Sequence, residues 1–373
     1  MKNIFEKKKT IIFLGQMPPP YIGPNIATQI ILNSKMKKDF RLVHLDSSDH
    51  RDLGRLGRID FQNIGLAFRD YYELIRLIIK ESPSMVYIPI SQTTLGYLRD
   101  SIFILISILF RKRVLCHLRG GNFKNWYLSS RALTKCFVRR VHSLVDGQIV
   151  LGEKMKDQFE GILPKEKIFV VPNGKRIGLK YKKEKDTDKA RILFLSNFIR
   201  EKGIIDFLAC IPYVYGSKKS MEFVLVGDWF DRDTKTEIES YIKKNVEFPI
   251  RIKGPLLNQE KYNMLASCDI FVFPTYYPAE GHPWVIIEAM AQGLPIVTTD
   301  QGAIAESVID GVNGFIVEKR NPVQIAEKIK FLIENPDIRK KMGEESRRLY
   351  LENFTEEKMI ERLSYAFNSV LSS

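Results

Sequence analysis

Residues 270–295 read IFVFPTYYPAEGHPWVIIEAMAQGLP and contain the strand, the loop and the helix from which the fold can be argued. The apolar run Ile270–Phe273 has the length of a buried strand, and the loop after it is rich in proline, tyrosine and glycine. The apolar segment Val285–Gln292 has helical length, and Gly293 is suited to terminate it. A strand, a loop and a helix in this order are typical of a parallel sheet covered by helices.

The start of this helix predicts an anion site. Pro283 suits the first helical turn, so the amides of the preceding loop would point at whatever lies above the sheet. Ligands of open parallel sheets bind beyond the carboxyl ends of the strands, where this loop lies. Glu288 has apolar neighbours on both sides, where an unpaired carboxylate is costly. The stretch therefore predicts a diphosphate site with a carboxylate available to ligand hydroxyls.

Outward from this stretch, apolar runs of strand length alternate with longer segments of helical period. The alternation predicts an α/β fold of βαβ units around parallel sheets. The predicted strands are Thr10–Leu14, Arg41–Leu45, Met85–Ile90, Arg113–Leu118, Gln148–Leu151, Arg191–Leu195, Glu222–Val226, Ile250–Ile252, Ile270–Phe273, Ile296–Thr298 and Phe315–Val317. The predicted helices include Asn25–Lys37, Phe68–Lys80, Thr94–Phe110, Tyr127–Val141, Glu153–Glu160, Pro322–Glu334, Pro336–Leu351 and Thr355–Leu371.

A chain of 373 residues exceeds the usual size of one hydrophobic core, so we expect two domains. The turn signal Pro172-Asn173-Gly174 precedes a Lys-rich, weakly apolar stretch, which predicts the boundary. We expect a first domain at 1–175 that is completed by a C-terminal helix at 355–373. A linker at 176–189 then leads to a second domain at 190–354.

The charge balance favours anionic partners. Lys and Arg outnumber Asp and Glu by 58 to 44, for a net charge of +14. The apolar runs Leu74–Ile79 and Ile102–Phe110 are followed by Lys80 and by Arg111-Lys112-Arg113. This pattern suggests contact with an anionic membrane rather than base reading, so nucleic acid is not an expected partner. For any single basic cluster, a solvated surface face is the alternative.

Cysteine spacing and the apolar runs bear on the compartment. The four cysteines stand far apart without a CxxC pair, so neither a zinc site nor a disulfide framework is signalled, and we expect no metal. The N-terminus lacks the apolar stretch of a signal peptide. The longest apolar run, Ile102–Phe110, is about half of the roughly 20 residues that span a bilayer. We expect a cytoplasmic protein, with peripheral contact at the inner face of the cell membrane.

The stretch Glu280–Pro295 resembles the E-x7-E signature of retaining glycosyltransferases with the GT-B fold, in particular glycosyltransferase family 4. It contains both glutamates and the following Glu-Ala-x-Ala-x-Gly-x-Pro. The resemblance extends over nearly the whole chain, strongly after residue 190 and loosely before it. It implies two Rossmann-like doubly wound parallel-sheet domains facing a cleft, with the C-terminal helix crossing back to the first. The first domain would bind the acceptor and the second the nucleotide-sugar donor.

The resemblance also implies roles for residues of the second domain. Glu280 and the amides of Gly281 and His282 would bind the donor sugar hydroxyls, and Glu288 would accept hydrogen bonds from the ribose diol. Lys202, with Arg200, would neutralise charge that grows on the diphosphate. The donor-binding set implied in this way is Asn197, Arg200, Lys202, Gly254, Glu280, Gly281, His282, Pro283 and Glu288.

Two positions depart from the family pattern. The family usually has Gly-Arg where Ser196-Asn197 stands, and its Arg contacts the donor phosphates, so we expect Arg200 to substitute. Many members have a His directly before Gly in the loop that leaves the fourth strand. Arg119 occupies that position here, and His117 lies one pleat away on the same side.

These departures leave two candidates for one role. Either Arg119 or His117 would replace the usual active-site His, and core or ion-pair roles are the alternative for both. We count Arg119 with Glu280 and Lys202 as the catalytic set. Gly23, in the loop after the first strand, joins His117 and Arg119 as the acceptor-side set.

The activity implied is transfer of a sugar from a nucleotide-diphosphate sugar to a saccharide or lipid-linked acceptor. The pathway would be bacterial surface polysaccharide synthesis: lipopolysaccharide, capsule or exopolysaccharide. In the front-side mechanism of such enzymes the leaving phosphate takes the acceptor's proton, so neither a metal nor another cofactor is demanded and the anomeric configuration is retained. The alternative is a catalytically inactive protein that binds nucleotide-sugars or glycans. Considered alone, Lys202 and Arg200 are more often solvated surface charges and His282 a local loop residue.

Overall fold

The computed structural model describes residues 8–47, 61–178, 189–215 and 221–373. The chain packs as two compact units: unit 1 is Met1–Pro172 with Glu356–Ser373, and unit 2 is Asn173–Thr355. Residues 173–175, which the sequence placed in the first domain, thus belong to unit 2. Of the predicted linker at 176–189, residues 179–188 lie outside the described residues.

Unit 1 is built on a parallel sheet whose strands follow the order β2-β1-β3-β4-β5-β6. Buried strands of a parallel sheet read as continuous apolar runs, as Ile11–Leu14 of the first strand do with all four residues buried. The elements of this part of the chain are β1 (Lys9–Gly15), α1 (Gly23–Asn33), β2 (Phe40–Asp46), α2 (Phe61–Glu81), β3 (Met85–Ile90), α3 (Thr94–Leu109), β4 (Arg113–Leu118), α4 (Phe123–Ser129), α5 (Ala132–His142), β5 (Gly147–Val150) and β6 (Ile168–Val170).

Unit 2 repeats the architecture with the order β12-β11-β10-β7-β8-β9, again parallel throughout. Its elements are β7 (Ala190–Leu195), α6 (Ile204–Tyr215), β8 (Met221–Val226), α7 (Arg232–Lys244), β9 (Ile250–Lys253), α8 (Asn258–Ala266), β10 (Ile270–Phe273), α9 (Trp284–Ala291), β11 (Ile296–Thr299), β12 (Gly314–Val317), α10 (Pro322–Glu334) and α11 (Pro336–Asn353). The last helix, α12 (Glu356–Ser372), completes the chain.

The C-terminal helix belongs to unit 1, as the resemblance implies. Phe367 on α12 is fully buried, and its ring meets the Phe40 ring edge-on at 5.5 Å between centroids. Leu363, one turn earlier, is also fully buried. Residues from the far end of the sequence therefore complete the core of the first sheet.

Three local predictions need correction. The predicted helix Tyr127–Val141 is two helices, because Ser130 is extended and its hydroxyl donates to the Trp126 carbonyl oxygen at 2.7 Å, which caps α4. The predicted helix Glu153–Glu160 is a 3-10 helix at Lys154–Phe159. The strand β6 was not predicted, because its three residues run into the turn signal at Pro172.

The parallel strands place functional loops together. The carboxyl ends of all strands of a sheet meet at one edge, so the loops after β7, β10 and β11 share an edge in unit 2, and those after β1, β3 and β4 share one in unit 1. Among the described helices, none is long and apolar enough to cross a bilayer.

Candidate functional site

The loop after β10, residues 274–283, is fixed on the loop that follows β7. The Tyr276 amide donates to the Glu201 carbonyl oxygen at 2.8 Å, and the Glu280 amide donates to the Tyr277 carbonyl oxygen at 3.0 Å. Thr275 contributes its hydroxyl, which accepts from the Tyr277 amide at 3.2 Å. The backbone around Glu280 is therefore held before any ligand arrives.

Lys202 and Glu280 form a largely buried ion pair at this edge. Lys202 Nζ lies 2.5 Å from Glu280 Oε2, and the two side chains are 15% and 8% exposed. The ammonium group also lies 4.8 Å from the centroid of the Tyr277 ring. These two predicted residues, 78 positions apart in sequence, are thus brought together. A cation and a carboxylate side by side suit a ligand with an anionic group next to hydroxyls.

A glycine sets the approach of the two loops. Gly203 directly follows Lys202 and has φ of 84°, the left-handed region that favours glycine. A Cβ at this position would lie 2.4 Å from the Pro274 carbonyl oxygen. A glycine directly after the predicted Lys202 is therefore required by the close contact of the β7 loop with the β10 loop.

The His282 ring is used to hold the loop. Its Nδ1 accepts from the Asn173 amide at 3.1 Å, so in the neutral ring Nε2 carries the proton and donates to Ser307 Oγ at 2.6 Å. The Asn173 side chain also donates to the His282 carbonyl oxygen at 2.7 Å. The ring thus makes the local loop contacts that the sequence indicated as the alternative role for this histidine. Contact of its amide with the nucleotide-sugar stays a prediction. Asn173 and Ser307 were not identified from the sequence as site residues.

Glu288 is fully buried on α9 and is paired with two lysines. Its Oε1 accepts from Lys175 Nζ at 3.1 Å and from Lys261 Nζ at 2.7 Å. Its Oε2 is buried and has no hydrogen-bond partner within the described part of the chain. The sequence missed both lysines: Lys175 stood in the Lys-rich boundary stretch, and nothing in its spacing distinguished Lys261. The carboxylate keeps one acceptor oxygen for a ligand.

Three other predicted donor-side residues lie outside this contact set. The Arg200 guanidinium is bound by Glu237 on α7, and the two side chains are about half exposed, so the structure shows a surface ion pair. Asn197 is exposed, and Gly254 is exposed with no atom within 4 Å of the place of a Cβ. Their donor contacts stay predictions. Arg320, which the sequence did not signal, lies with its guanidinium 4.5 Å from the centroid of the Tyr276 ring.

Pro283 and Gly281 are placed by the helix start and by a second loop. Pro283 is the N-cap of α9 rather than a residue of its first turn. The Gly281 carbonyl oxygen accepts from the Ala303 amide at 2.8 Å. Gly302, at φ of 61°, allows this contact, because a Cβ there would lie 2.3 Å from the same oxygen. The loop after β11 therefore supports the loop that carries Glu280.

Unit 1 has a pocket of about 310 Å³ at the carboxyl edge of its own sheet. His117 and Arg119 both line it, so the two acceptor-side candidates lie at one site. Gly23 begins α1 and does not line the pocket, but Asn25 of the same helix does. The lining also includes two carboxylates and a second guanidinium, those of Asp70, Asp100 and Arg99.

A tyrosine connects the two acceptor-side candidates. Arg119 donates from a terminal nitrogen to the Tyr87 hydroxyl oxygen at 2.9 Å, and that hydroxyl lies 2.6 Å from His117 Nδ1. Burial, and secondarily the charge of Arg119, hold the pKa of His117 well below its usual value. Burial raises the pKa of Tyr87. At neutral pH both groups are therefore uncharged. The sequence did not identify Tyr87.

The described residues contain no cluster of three side chains of the kind that holds a metal ion. A model of the protein family "Glycosyl transferases group 1" matches residues 176–370, just over half of the chain. The chain belongs to the glycosyl transferases group 1 family. The match covers unit 2 almost entirely, including both glutamates of the quoted stretch.

Two relatives are 30% and 26% identical to the chain over the regions that match. An uncharacterised glycosyltransferase of Methanocaldococcus jannaschii is 30% identical over 215 residues, which are 58% of this chain and 57% of that protein. The capsular polysaccharide biosynthesis glycosyltransferase CapM of Staphylococcus aureus is 26% identical over 242 residues, 60% of this chain and 61% of that protein. The matched region thus spans about three fifths of these relatives.

Solved structures show the fold. The structure of Anabaena HepE in complex with UDP and glucose has a TM-score of 0.74 at 17% identity and covers 97% of this chain and 100% of that one. Sucrose-phosphate synthase from Thermosynechococcus elongatus has a TM-score of 0.76 at 16% identity, with 98% and 100% covered. The α/β fold of two Rossmann-like parallel-sheet units, the GT-B fold, is therefore confirmed.

Proposed function

We propose that the chain is a retaining glycosyltransferase that moves a sugar from a nucleotide-diphosphate sugar to a saccharide or lipid-linked acceptor. The observation that carries the proposal is the buried pair of Lys202 and Glu280, held at the carboxyl edge of the second sheet. A sugar diphosphate presents the complementary groups: an anion for the ammonium and hydroxyls for the carboxylate. Each charge would exchange its present partner for the ligand.

Sugar transfer requires stabilisation of the negative charge that develops on the leaving diphosphate. The ammonium of Lys202 is already desolvated and fixed, so it needs little reorganisation as the glycosidic bond breaks. The N-terminus of α9 lies directly after the Glu280 loop and adds its amides and dipole. The leaving phosphate oxygen would take the acceptor's proton, and attack on the same face would retain the anomeric configuration.

Glu288 supports a nucleoside on this side of the site. Its Oε1 is saturated by two ammonium groups, whereas its buried Oε2 has no partner among the residues that the structure describes. A buried acceptor without a partner costs free energy that a ligand hydroxyl can relieve. We propose that the ribose diol supplies that hydroxyl.

The relatives suggest where such a reaction would operate. CapM of Staphylococcus aureus is named for capsular polysaccharide biosynthesis, and TuaC of Bacillus subtilis for teichuronic acid biosynthesis. Anabaena HepE was solved with UDP and glucose. We therefore propose a step of bacterial surface polysaccharide synthesis, with uridine diphosphate sugars as the first donors to test.

A thermal-shift panel of nucleotide-sugars tests the donor, because a ligand of the native state raises the melting temperature with its occupancy. Transfer and hydrolysis of the stabilising donor are then followed for the wild type and for Glu280→Gln, with Glu237→Gln as the surface control. We expect product with retained configuration that Glu280→Gln abolishes. Stabilisation without turnover would instead establish the catalytically inactive binding protein, and no stabilisation by any donor would refute both.

We also propose peripheral contact with an anionic membrane at the inner face of the cell membrane, through α5 in addition to the apolar runs that the sequence indicated. The two predicted apolar runs are partly buried in unit 1, as Leu74 and Ile104 are, but Ile79 and Leu109 are 66% and 79% exposed. On α5, in addition, Leu133 is 87% exposed and Phe137 lies one turn further on the same face at 36%.

The charges around this face suit anionic lipid. Arg131, Lys135, Arg139 and Arg140 form no ion pair with any residue in the described ranges. Unpaired cations beside exposed apolar side chains are typical of helices that lie on membranes. We expect salt-sensitive pelleting with vesicles that contain phosphatidylglycerol, lost in Leu133→Ser/Phe137→Ser and kept in Leu257→Ser. Equal pelleting with neutral and anionic vesicles would contradict the proposal.

A further inference from the structure

We propose that Tyr87 is a positioning residue that holds His117 as the Nε2–H tautomer, so that the pocket of unit 1 presents a hydrogen-bond donor to a hydroxyl of a neutral sugar. The inference rests on the proposed function only for the choice of a saccharide as the ligand. Its first part, the tautomer, follows from the hydrogen bonds of three side chains.

The proton positions follow from what each group can do. A guanidinium only donates, so the Tyr87 oxygen accepts from Arg119. The phenol keeps one hydrogen of its own, and His117 Nδ1 lies 2.6 Å away. Tyr87 is fully buried and its ring stacks on Phe13 with centroids 4.1 Å apart, so its hydroxyl cannot turn to solvent. The hydroxyl therefore donates to Nδ1, and the single proton of the neutral imidazole lies on Nε2.

The pocket then has one donor and one acceptor that are not satisfied. His117 Nε2 is buried and has no hydrogen-bond partner in the described ranges, and the same holds for Asn25 Oδ1. Both residues line the pocket and are at least nine-tenths buried. A hydroxyl group donates and accepts, so it matches such a donor and such an acceptor. Buried polar groups of this kind are expected to find a ligand or water.

The charges of the lining select a neutral ligand. The lining carries two carboxylates, Asp70 and Asp100, and two guanidinium groups, Arg99 and Arg119, so its formal charges cancel. Asp100 is held by Arg99 at 2.7 Å. Phe103 adds an apolar surface to this polar lining. A sugar ring, with hydroxyls at its edge and C–H groups on its face, combines both properties, and the volume of about 310 Å³ is at the small end for ligand pockets.

A second Tyr–His pair in the same unit provides a matched control. The Tyr97 hydroxyl lies 3.2 Å from His142 Nδ1, and both side chains are buried. Neither residue lines the pocket. Tyr87→Phe and Tyr97→Phe each remove one buried hydroxyl that contacts a histidine, so loss of stability alone affects both variants.

The test uses the full chain labelled with ¹⁵N-histidine. Long-range ¹H–¹⁵N spectra report which ring nitrogen carries the proton, and the His117 signals are identified by their loss in His117→Gln. Glucose, galactose, mannose and N-acetylglucosamine are then titrated. We expect Nε2 of His117 to be protonated in the wild type, and at least one sugar to shift its resonance. Tyr87→Phe should weaken binding of that sugar roughly 10-fold, because the hydrogen bond that orients the donor is lost, and Tyr97→Phe should weaken it less than about 2-fold.

The outcomes are separable from those of the donor panel. A proton on Nδ1 in the wild type overturns the inference, as does the absence of a shift with all four sugars or equal weakening in the two tyrosine variants. Sugar binding at His117 without any nucleotide-sugar turnover would support the inference and count against the proposed transferase.

Discussion

Replacement of Lys202 by Met separates the structural role of the buried ion pair from its chemical role. Met keeps the length and the apolar stem that packs on the Tyr277 ring, but it leaves the Glu280 carboxylate in a largely buried place without a cation. Among the described residues, the other side-chain hydrogen bond to this carboxylate comes from the Thr275 hydroxyl at 3.3 Å. Breaking a buried pair in this way costs about 3–5 kcal/mol, and the slight exposure of both side chains favours the lower figure, about 3 kcal/mol.

The expected change in melting temperature follows from the size of unit 2. For a domain of roughly 150–250 residues, each kcal/mol corresponds to about 2–4 °C, so Lys202→Met should lower the melting temperature of unit 2 by about 6–12 °C. Differential scanning calorimetry of the full chain measures this shift. Lys124→Met is the control, because its pair with Glu160 at 2.6 Å is 37% and 65% exposed, so its loss should leave the melting temperature nearly unchanged.

The double variant Lys202→Met/Glu280→Gln distinguishes the two roles. It removes both charges together, so most of the lost stability should return. Turnover of the donor should not return, because loss of one charge-stabilising group lowers kcat by about 100-fold to 1,000-fold. An unchanged melting temperature for Lys202→Met, or a double variant with near wild-type turnover, would refute the assigned role of this pair.

Three further perturbations have defined outcomes. Gly302→Ala should raise the Kd of the nucleotide-sugar and destabilise the chain more than Gly311→Ala does. Both glycines have positive φ, but only Gly302 lies against the Gly281 carbonyl oxygen. Equal effects of the two variants in calorimetry and in donor titration would contradict this. Burial lowers the pKa of His142 to about 4, so the unfolded chain binds its proton first, and stability should fall as pH decreases from about 6.5 to 4 by up to about 3 kcal/mol. His142→Gln should show a smaller fall in urea unfolding over this interval, and an identical pH profile would exclude the assignment. Arg200→Ala should raise the donor KM if Arg200 binds the diphosphate, whereas Glu237→Gln, which frees the guanidinium, should not; an unchanged KM in Arg200→Ala would leave Arg200 a surface residue.

The sequence predicted the sheets well where strands are continuous apolar runs. Met85–Ile90, Arg113–Leu118 and Ile270–Phe273 were predicted with the bounds that the structure has. Such runs are diagnostic because a parallel strand is buried on both faces. The end of α4 was missed because it depends on a side-chain cap at Ser130, which hydrophobic period does not report.

The candidate site was predictable only in part. Resemblance, not spacing, placed Lys202 near Glu280. Tyr87 was missed because its contact with His117 depends on strand register: in the pairing of β3 with β4, Tyr87 lies beside Leu115 and His117 beside Pro89. The pairing register of two buried apolar strands cannot be read from the sequence of either strand. Lys175 was missed because it begins a run of lysines, and composition does not tell which of them turns inward.

The first residues of unit 2 limit how the chain can be divided. Asn173 binds His282 through two hydrogen bonds, and Lys175 binds Glu288. The Lys175 carbonyl oxygen also accepts from the Tyr350 hydroxyl at 2.7 Å. A fragment that starts at residue 190, where the second sheet begins, would lack all of these partners. The buried Nδ1 of His282 would then have no hydrogen-bond donor from Asn173. Excision of unit 2 for crystallisation or labelling should therefore retain the peptide from Asn173 onward.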